Sequence, residues 1–150
     1  MLQVINKNLL DIESGVICHQ VNCQAVMGAG IAKAISAKWP SVYPEYYAFC
    51  QKYLGPKTVM LLGQLQLTQL TPTLRLANVF GQHGYGRVSG IQTDYRAVAE
   101  SLNRLKVMLH DEKPQIYIPF RMGCGLGGGN WDEYSRLVEA YFPSAIVCKI

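Results

Sequence analysis

Charge is scarce in this chain: 16% of its 150 residues are Asp, Glu, Lys or Arg, and the basic ones are scattered singly from Lys7 to Lys149. A nucleic-acid footprint clusters its cations on one face or along one helix. No such cluster occurs, which argues against sequence-specific nucleic-acid readout. Long apolar runs are missing as well. The two longest uncharged stretches, Ser14 to Ala32 and Thr58 to Leu74, are broken by His19, Gln20, Asn22 and Gln24 and by Gln64, Gln66, Gln69 and Pro72, so neither reads as a membrane span. Met1 to Asn6 reads as a strand and lacks the basic and apolar regions of a secretory leader. The five cysteines, Cys18, Cys23, Cys50, Cys124 and Cys148, are an odd set without a close CxxC pair. That pattern points to a reduced, cytoplasmic protein. It also argues against zinc, because alternation along a strand puts Cys18 and Cys23 on opposite faces with no fourth ligand near His19. No metal and no cofactor are expected.

The chain does have the apolar matter for one core. Hydrophobic residues make up 49% of it, and a domain of this length buries roughly 70% of the surface its unfolded form exposes. A net charge of +4 gives a mildly positive field that favours an anionic small molecule. No repeat, linker or low-complexity segment interrupts the sequence, so residues 1–150 are read as one domain. Leu2 to Asn6 and Gly15 to Asn22 read as strands, the second of the buried kind. A helix is expected to open near Gly28 to Gly30, to carry Ile31, Ile35 and Trp39 on one face, and to stop at Pro40. An aromatic-rich helix follows from Val42 to Tyr53, ending at Gly55-Pro56. Gln64 to Leu70 and Leu74 to Phe80, joined by Thr71-Pro72-Thr73, make an antiparallel pair. Beyond the polar segment Gly81 to Gly90, the stripe Tyr95, Val98, Leu102, Leu105 and Leu109 predicts a helix from Thr93 to His110. Ile116 to Pro119 is a strand, Trp131 to Phe142 a helix with Asn130 and Glu133 placed for a capping box, and Ala145 to Ile150 a last strand. Strands alternating with helices around one hairpin predict a three-layer α/β/α fold with a mixed central sheet.

Glycine is concentrated in two loops. Arg121-Met122-Gly123-Cys124-Gly125-Leu126-Gly127-Gly128-Gly129-Asn130 joins a strand to a helix, and so does Met27-Gly28-Ala29-Gly30-Ile31. Segments without side chains let backbone amides close around an anion. Ligands of open α/β sheets bind at the carboxyl ends of strands, so two such loops predict a diphosphate-containing ligand. Gly123, Gly125 and Gly128 satisfy the GxGxxG spacing, but the strand that follows them has no Asp or Glu to take ribose hydroxyls. A nicotinamide site is disfavoured on that ground. The Walker pattern fails too, because Lys33 follows Gly30 with no Ser or Thr after it. Asp132 and Glu133 load negative charge on the first turn of the last helix, which places the anion against the amides of Gly123 to Gly128 instead.

The run Asn22-Cys23-Gln24-Ala25-Val26-Met27-Gly28-Ala29-Gly30-Ile31-Ala32, followed by Asn78-Val79-Phe80-Gly81-Gln82 and Gly123-Cys124-Gly125-Leu126, resembles the macrodomain family, which binds ADP-ribose and its derivatives. Within that family it is most similar to the branch of ADP-ribose 1''-phosphate phosphatases and glutamate-directed ADP-ribosyl hydrolases. The resemblance implies that Asp11 and Ile12 meet the adenine and that Asn22 hydrogen-bonds the distal ribose. It implies that Gly28, Ala29, Gly30 and Ile31 close over that ribose and its phosphate, and that Gly123, Cys124, Gly125, Leu126, Gly127 and Gly128 cradle the diphosphate. Glutamate-directed hydrolases of this branch use a lysine and an aspartate at places that match Gln82 and Gly127 here. Both groups are therefore absent at the matching positions.

His19 is the leading substitute as general acid, base or nucleophile on a phosphate monoester, since a histidine near its ordinary pKa of about 6.5 titrates in the useful range. A buried histidine hydrogen-bonded across the sheet is the alternative. His83, in the polar segment beside the expected ribose, is the second catalytic candidate, against a bland surface role. Phe80 and Tyr85 are expected to line the groove, while Tyr43, Tyr46 and Tyr47 are expected to be core and surface aromatics. Cys124 is read as a packing residue rather than a nucleophile. The activity expected first is hydrolysis of ADP-ribose 1''-phosphate to ADP-ribose and phosphate. A non-catalytic ADP-ribose reader, or removal of ADP-ribose from modified protein or nucleic acid, are the alternatives. No membrane partner is expected.

Overall fold

The strand Gly15–Val21, β2 in chain order after β1 (Gln3–Asn6), organises the molecule. Its run Val-Ile-Cys-His is fully buried on both faces, as a central parallel strand requires. The computed structural model describes residues 1–53, 60–85, 92–125 and 127–150. The remaining strands are β3 (Leu65–Thr71), β4 (Leu74–Phe80), β5 (Ile116–Pro119) and β6 (Ile146–Lys149), and the six form one sheet in the order β1-β6-β5-β2-β4-β3. All neighbours run parallel except β3 and β4, which make the expected antiparallel hairpin.

Among the described residues, four helices cover the sheet. On one face lie α1 (Gly30–Lys38) and α2 (Val42–Gln51), packed through Ile35, Val42, Tyr46 and Cys50 on Ile17, Leu74, Leu76 and Phe80. On the other lie α3 (Tyr95–Met108) and α4 (Trp131–Tyr141), packed through Val98, Leu102, Leu105, Tyr134 and Val138 on Val16, Cys18, Ala77 and Val79. Cys18 and Cys23 fall in opposite layers, as alternation required. This is a three-layer α/β/α fold with a mixed sheet.

Local signals account for most boundaries. Asp94 caps α3 by accepting from the Ala97 amide at 3.0 Å, and Asn130 caps α4 by accepting from the Glu133 amide at 3.1 Å. α1 stops one residue before Trp39-Pro40, because the proline ring and its missing N–H forbid a further turn. The 3-10 turn Leu9–Asp11, capped by Asn8, is a short element that periodicity does not reveal. The expected end of α2 at Gly55-Pro56 and much of the Gly81 to Gly90 segment lie outside the described residues. Among the described residues no helix is long and apolar enough to cross a membrane.

From β2 the chain moves to β3 and back to β4 on one side, and from β5 it moves to β6 on the other. β2 and β5 are hydrogen-bonded neighbours, so the order of winding reverses between them. A crevice opens outside the carboxyl ends of strands at such a point.

Candidate functional site

Both glycine loops leave from those two strand ends and face a groove of about 620 Å³. That volume falls in the range of small-molecule sites. Asn22 and Val26 to Ala32 line it from the first loop, and Pro119 to Gly123, Gly125 and Gly127 from the second, with Gln20, Gln82 and Tyr85 between. A larger groove of about 860 Å³ lies between the end of α3 and the end of α4, but neither glycine loop contributes to it.

Asn22 builds the first loop. Its Oδ1 accepts from the amides of Gln24 (2.9 Å) and Val26 (3.4 Å) and from the Tyr46 hydroxyl (2.9 Å), while its Nδ2 donates to the Val26 carbonyl (2.7 Å). From α2, Tyr43 donates to the carbonyl of Ala25, which sits at a left-handed φ of 59°. Left-handed backbone at a non-glycine residue costs roughly 1–2 kcal/mol and persists where its surroundings impose it. The loop delivers the chain to α1, whose N-cap Ala29 makes no side-chain cap bond and whose first turn carries no acid. Among the described residues, the amides of Gly28, Ala29 and Gly30 have no hydrogen-bond partner.

In the second loop the amides divide into two sets. Those of Met122, Cys124, Gly128, Gly129 and Asn130 are taken up by Pro119, Arg121, Gly125, Gly123 and the Tyr95 hydroxyl. Those of Gly123, Gly125 and Gly127, all on the groove, have no partner among the described residues. Asn130 closes the end of α4, so its dipole end is occupied by its own cap. Arg121, at a left-handed φ of 61°, is the one charged residue among the described residues that line the groove. Among the described residues, the site offers an anion backbone dipoles and one cation, and no carboxylate to repel it.

Several expected site residues are here and others are not. Asn22, Gly28, Ala29, Gly30, Ile31, Gln82, Gly123, Gly125 and Gly127 line one groove together, with Tyr85. Gly128, at φ 72°, shapes the turn behind it through its bond to Gly125. Leu126 lies outside the described residues. Asp11 is exposed on the turn after β1, Ile12 is buried in the α1/α2 layer, and neither lines the groove. Phe80 is a correction: it is fully buried, its ring 5.4 Å from that of Phe49 and 5.9 Å from that of Tyr46. Cys124 also turns inward, its thiol bonded to the Met122 carbonyl and its pKa raised by burial against the opposing charge of Arg121. Its side chain does not reach the groove.

His19 is the main correction. It is fully buried, and its Nε2 lies 2.6 Å from Asn78 Oδ1 on the neighbouring β4, the residue aligned with it in register. Asn78 donates in turn to Gln66 (2.8 Å), and Gln66 to the Glu45 carbonyl of α2 (3.0 Å). An acceptor at Nε2 makes this nitrogen the protonated one of a neutral ring. Burial lowers the pKa to about 4, with the Asn78 bond opposing. The structure thus puts His19 in a cross-strand polar rung under α2, away from the groove. His83 is exposed beside the first loop: its carbonyl accepts from the Cys23 amide (3.1 Å), and its ring lies 3.3 Å from Gln24 Nε2.

The sequence reading did not single out Gln20, Thr93 or Tyr134. Gln20 Nε2 donates to Gln82 Oε1 (2.8 Å) and Thr93 Oγ1 (2.9 Å), and its Oε1 accepts from the Tyr134 hydroxyl (2.8 Å). The available signal was the pair Gln20 and Asn22, polar residues two apart at the end of an otherwise apolar strand. Gly127 faces the same cluster. A Cβ there would lie 2.7 Å from the Gly123 carbonyl oxygen, 2.7 Å from Thr93 Oγ1 and 3.0 Å from Gln82 Oε1. No side chain fits at that place. Among the described residues no group of His, Cys, Asp and Glu could hold a metal ion.

Fold and site together define a three-layer α/β/α domain with an amide-lined groove at its topological switch point. The fold is that of the macrodomains. No family model matches the chain, and the likeness rests on solved structures and on short segments of sequence. A macrodomain protein from Streptomyces coelicolor superposes with TM-score 0.77 at 22% identity, covering 100% of this chain and 99% of that one. A protein of unknown function from Bacteroides thetaiotaomicron gives 0.86 at 26% identity over 100% and 98%. Thermosipho africanus DarTG, solved in complex with ADP-ribose, gives 0.74 at 17% identity over 97% and 40%. In sequence, an ADP-ribose 1''-phosphate phosphatase of Aspergillus oryzae is 40% identical over 53 residues, which is 35% of this chain and 26% of the relative. The similarity spans about a quarter of that relative's length. An uncharacterised 17.5 kDa protein of Enterobacteria phage T4 is 27% identical over 127 residues, 83% of this chain and 78% of that one.

Proposed function

We propose that this protein binds ADP-ribose and its derivatives in the groove between the two glycine loops, and that it acts as a reader of that ligand. The observation that carries this is the set of amides without a partner among the described residues, Gly28 to Gly30 and Gly123, Gly125 and Gly127, facing one groove with no carboxylate among its described lining residues. Backbone N–H groups held in place bind phosphate oxygens without reorganising. In this reading the second loop takes the diphosphate, with Arg121 as countercharge. The first loop closes over the distal ribose, and the adenine lies toward the turn bearing Asp11 and Ile12, which is tied to α1 by the contact of Lys38 with the Leu10 carbonyl. Catalysis is the weaker part of the family's repertoire to carry over. Gln82 and Gly127 stand where the hydrolase lysine and aspartate would be, and His19 has no path to a ligand.

The segment similarity to ADP-ribose 1''-phosphate phosphatases favours a second reading, hydrolysis of ADP-ribose 1''-phosphate. Water would attack phosphorus, the bond from phosphorus to the 1''-oxygen would break, and ADP-ribose would leave with a proton on that oxygen. The exposed His83 is the remaining candidate to move that proton. One experiment separates the readings. Calorimetric titration with ADP-ribose is run beside time courses with ADP-ribose 1''-phosphate, ADP-ribosylated protein and ADP-ribosylated nucleic acid. Binding without turnover supports the reader, and phosphate release supports the phosphatase. Absence of any ADP-ribose binding refutes both.

A further inference from the structure

We infer that Tyr134 and Gln20 are positioning residues that set the diphosphate-binding amides of the second glycine loop through a closed chain of hydrogen bonds. This rests on the binding reading above and deepens it. The chain begins inside α4, where the Tyr134 hydroxyl donates to Gln20 Oε1 (2.8 Å). Gln20 spends both hydrogens of its amide nitrogen, one on Gln82 Oε1 (2.8 Å) and one on Thr93 Oγ1 (2.9 Å). Thr93 passes its own proton to the Gly123 carbonyl (2.6 Å), and Gln82 passes one to the Gly84 carbonyl (2.8 Å). The Gly123 carbonyl is held a second time by the Gly129 amide (2.9 Å), which locks the peptide plane between two of the unpartnered amides. Every donor points the same way along the chain, so each amide orientation is determined by the one before it. Burial holds the Tyr134 phenol well above its usual pKa, which keeps the first donor protonated.

A second, independent observation shows that the molecule is shaped around this chain. A Cβ at Gly81 would lie 2.5 Å from Gln20 Oε1, one at Gly123 would lie 2.3 Å from the Tyr134 ring and 2.9 Å from Gln20 Oε1, and one at Gly127 would lie 2.7 Å from Thr93 Oγ1. Three glycines from two separate segments leave room for the same four polar side chains. The residues at the groove wall are Gln20, Gln82, Gly123 and Gly127, while Tyr134 stands behind them and touches the ligand only through others.

The test uses the full chain with ADP-ribose and adenosine as probes. Tyr134→Phe keeps the ring and removes the hydroxyl, so ADP-ribose binding weakens about tenfold while adenosine affinity stays within about twofold. These are the sizes expected for one lost link in a coupled set. Thr93→Val breaks the last link without touching the α4 core, so it gives the same split even if the buried tyrosine variant folds poorly, and Thr93→Ser restores binding. The Tyr134→Phe/Thr93→Val double variant loses no more than the worse single one. Unchanged ADP-ribose affinity in both single variants overturns the inference, and so does an equal loss for both ligands, which marks general damage. A wild-type protein that fails to bind ADP-ribose overturns the binding reading itself, and the inference with it.

Discussion

Replacing His19 by Gln separates a structural histidine from a catalytic one. Glutamine keeps an N–H that can reach Asn78 Oδ1 but cannot titrate. In the folded chain burial lowers the His19 pKa to about 4, against 6.5 in the unfolded chain. Above pH 6.5 neither state protonates this ring, and its contribution to stability is fully present. Between pH 6.5 and about 4 the unfolded state binds a proton that the folded state refuses, so stability falls as pH falls, by about 1.36 kcal/mol per unit. The loss saturates near 3 kcal/mol, roughly, once the pH passes below the folded pKa. Urea unfolding of both proteins from pH 7.5 to 4 reads this directly, because the carboxylates titrate alike in the two and cancel in the difference. The stability of the wild type relative to His19→Gln is expected to drop by about 3 kcal/mol across that window. ADP-ribose affinity at pH 7.5 is expected to match within about twofold, since a conservative change away from the ligand rarely couples to it. A flat difference curve would mean that water reaches the ring in the native state. Loss of ligand turnover in the variant, with the fold intact, would return His19 to the groove and refute its placement in the rung.

Three further outcomes follow from the groove. Gly127→Asp places a side chain where a Cβ already lies 2.7 Å from the Gly123 oxygen and from Thr93 Oγ1; it should cost about 1–3 kcal/mol in urea unfolding and create no activity on ADP-ribosylated glutamate, and a gain of that activity would contradict the packing. Asn22→Ala removes the acceptor shared by two loop amides and the Tyr46 hydroxyl, so a loss of about 2 kcal/mol is expected with weaker ADP-ribose binding, and an unchanged unfolding midpoint would count against the loop description. Burial pushes the Cys18 and Cys23 thiols up to about 12, and all five cysteines are buried. An aromatic disulfide reagent at pH 8 should therefore label the native protein slowly and the urea-unfolded protein at once, and rapid native labelling of either thiol would refute this.

What could be read from the sequence was whatever a few neighbouring residues determine. The stripe Val98, Leu102, Leu105 and Leu109 is a local period, and it is buried along α3 and its C-cap Leu109. The glycine loops follow strands and precede helices, so their place at the carboxyl ends of β2 and β5 was legible before their contacts were. His19 and Phe80 were harder. β2 and β4 are buried on both faces, so no polar alternation says which residues point at a helix layer and which reach the open end. His19 and Gln20 are adjacent, and that single step of parity puts one under α2 and the other in the groove. Tyr134 and Gln20 are 114 positions apart in the chain. A bond of that span leaves no trace in spacing.

Gln82 and Gly127, the two positions where the hydrolase resemblance would call for a lysine and an aspartate, are connected in space. A carboxylate at 127 would occupy the position from which Thr93 reaches the Gly123 carbonyl, and a cation at 82 would leave Gln20 without the acceptor for one of its two amide hydrogens. Neither charged residue can be introduced alone without breaking the polar chain, and a lone buried or half-buried charge is costly. The neutral pair and the chain that runs through it therefore stand or fall as one packing solution. Its effect is to spend the polar groups at this corner on holding loop geometry, which suits the anion-binding reading proposed for this groove.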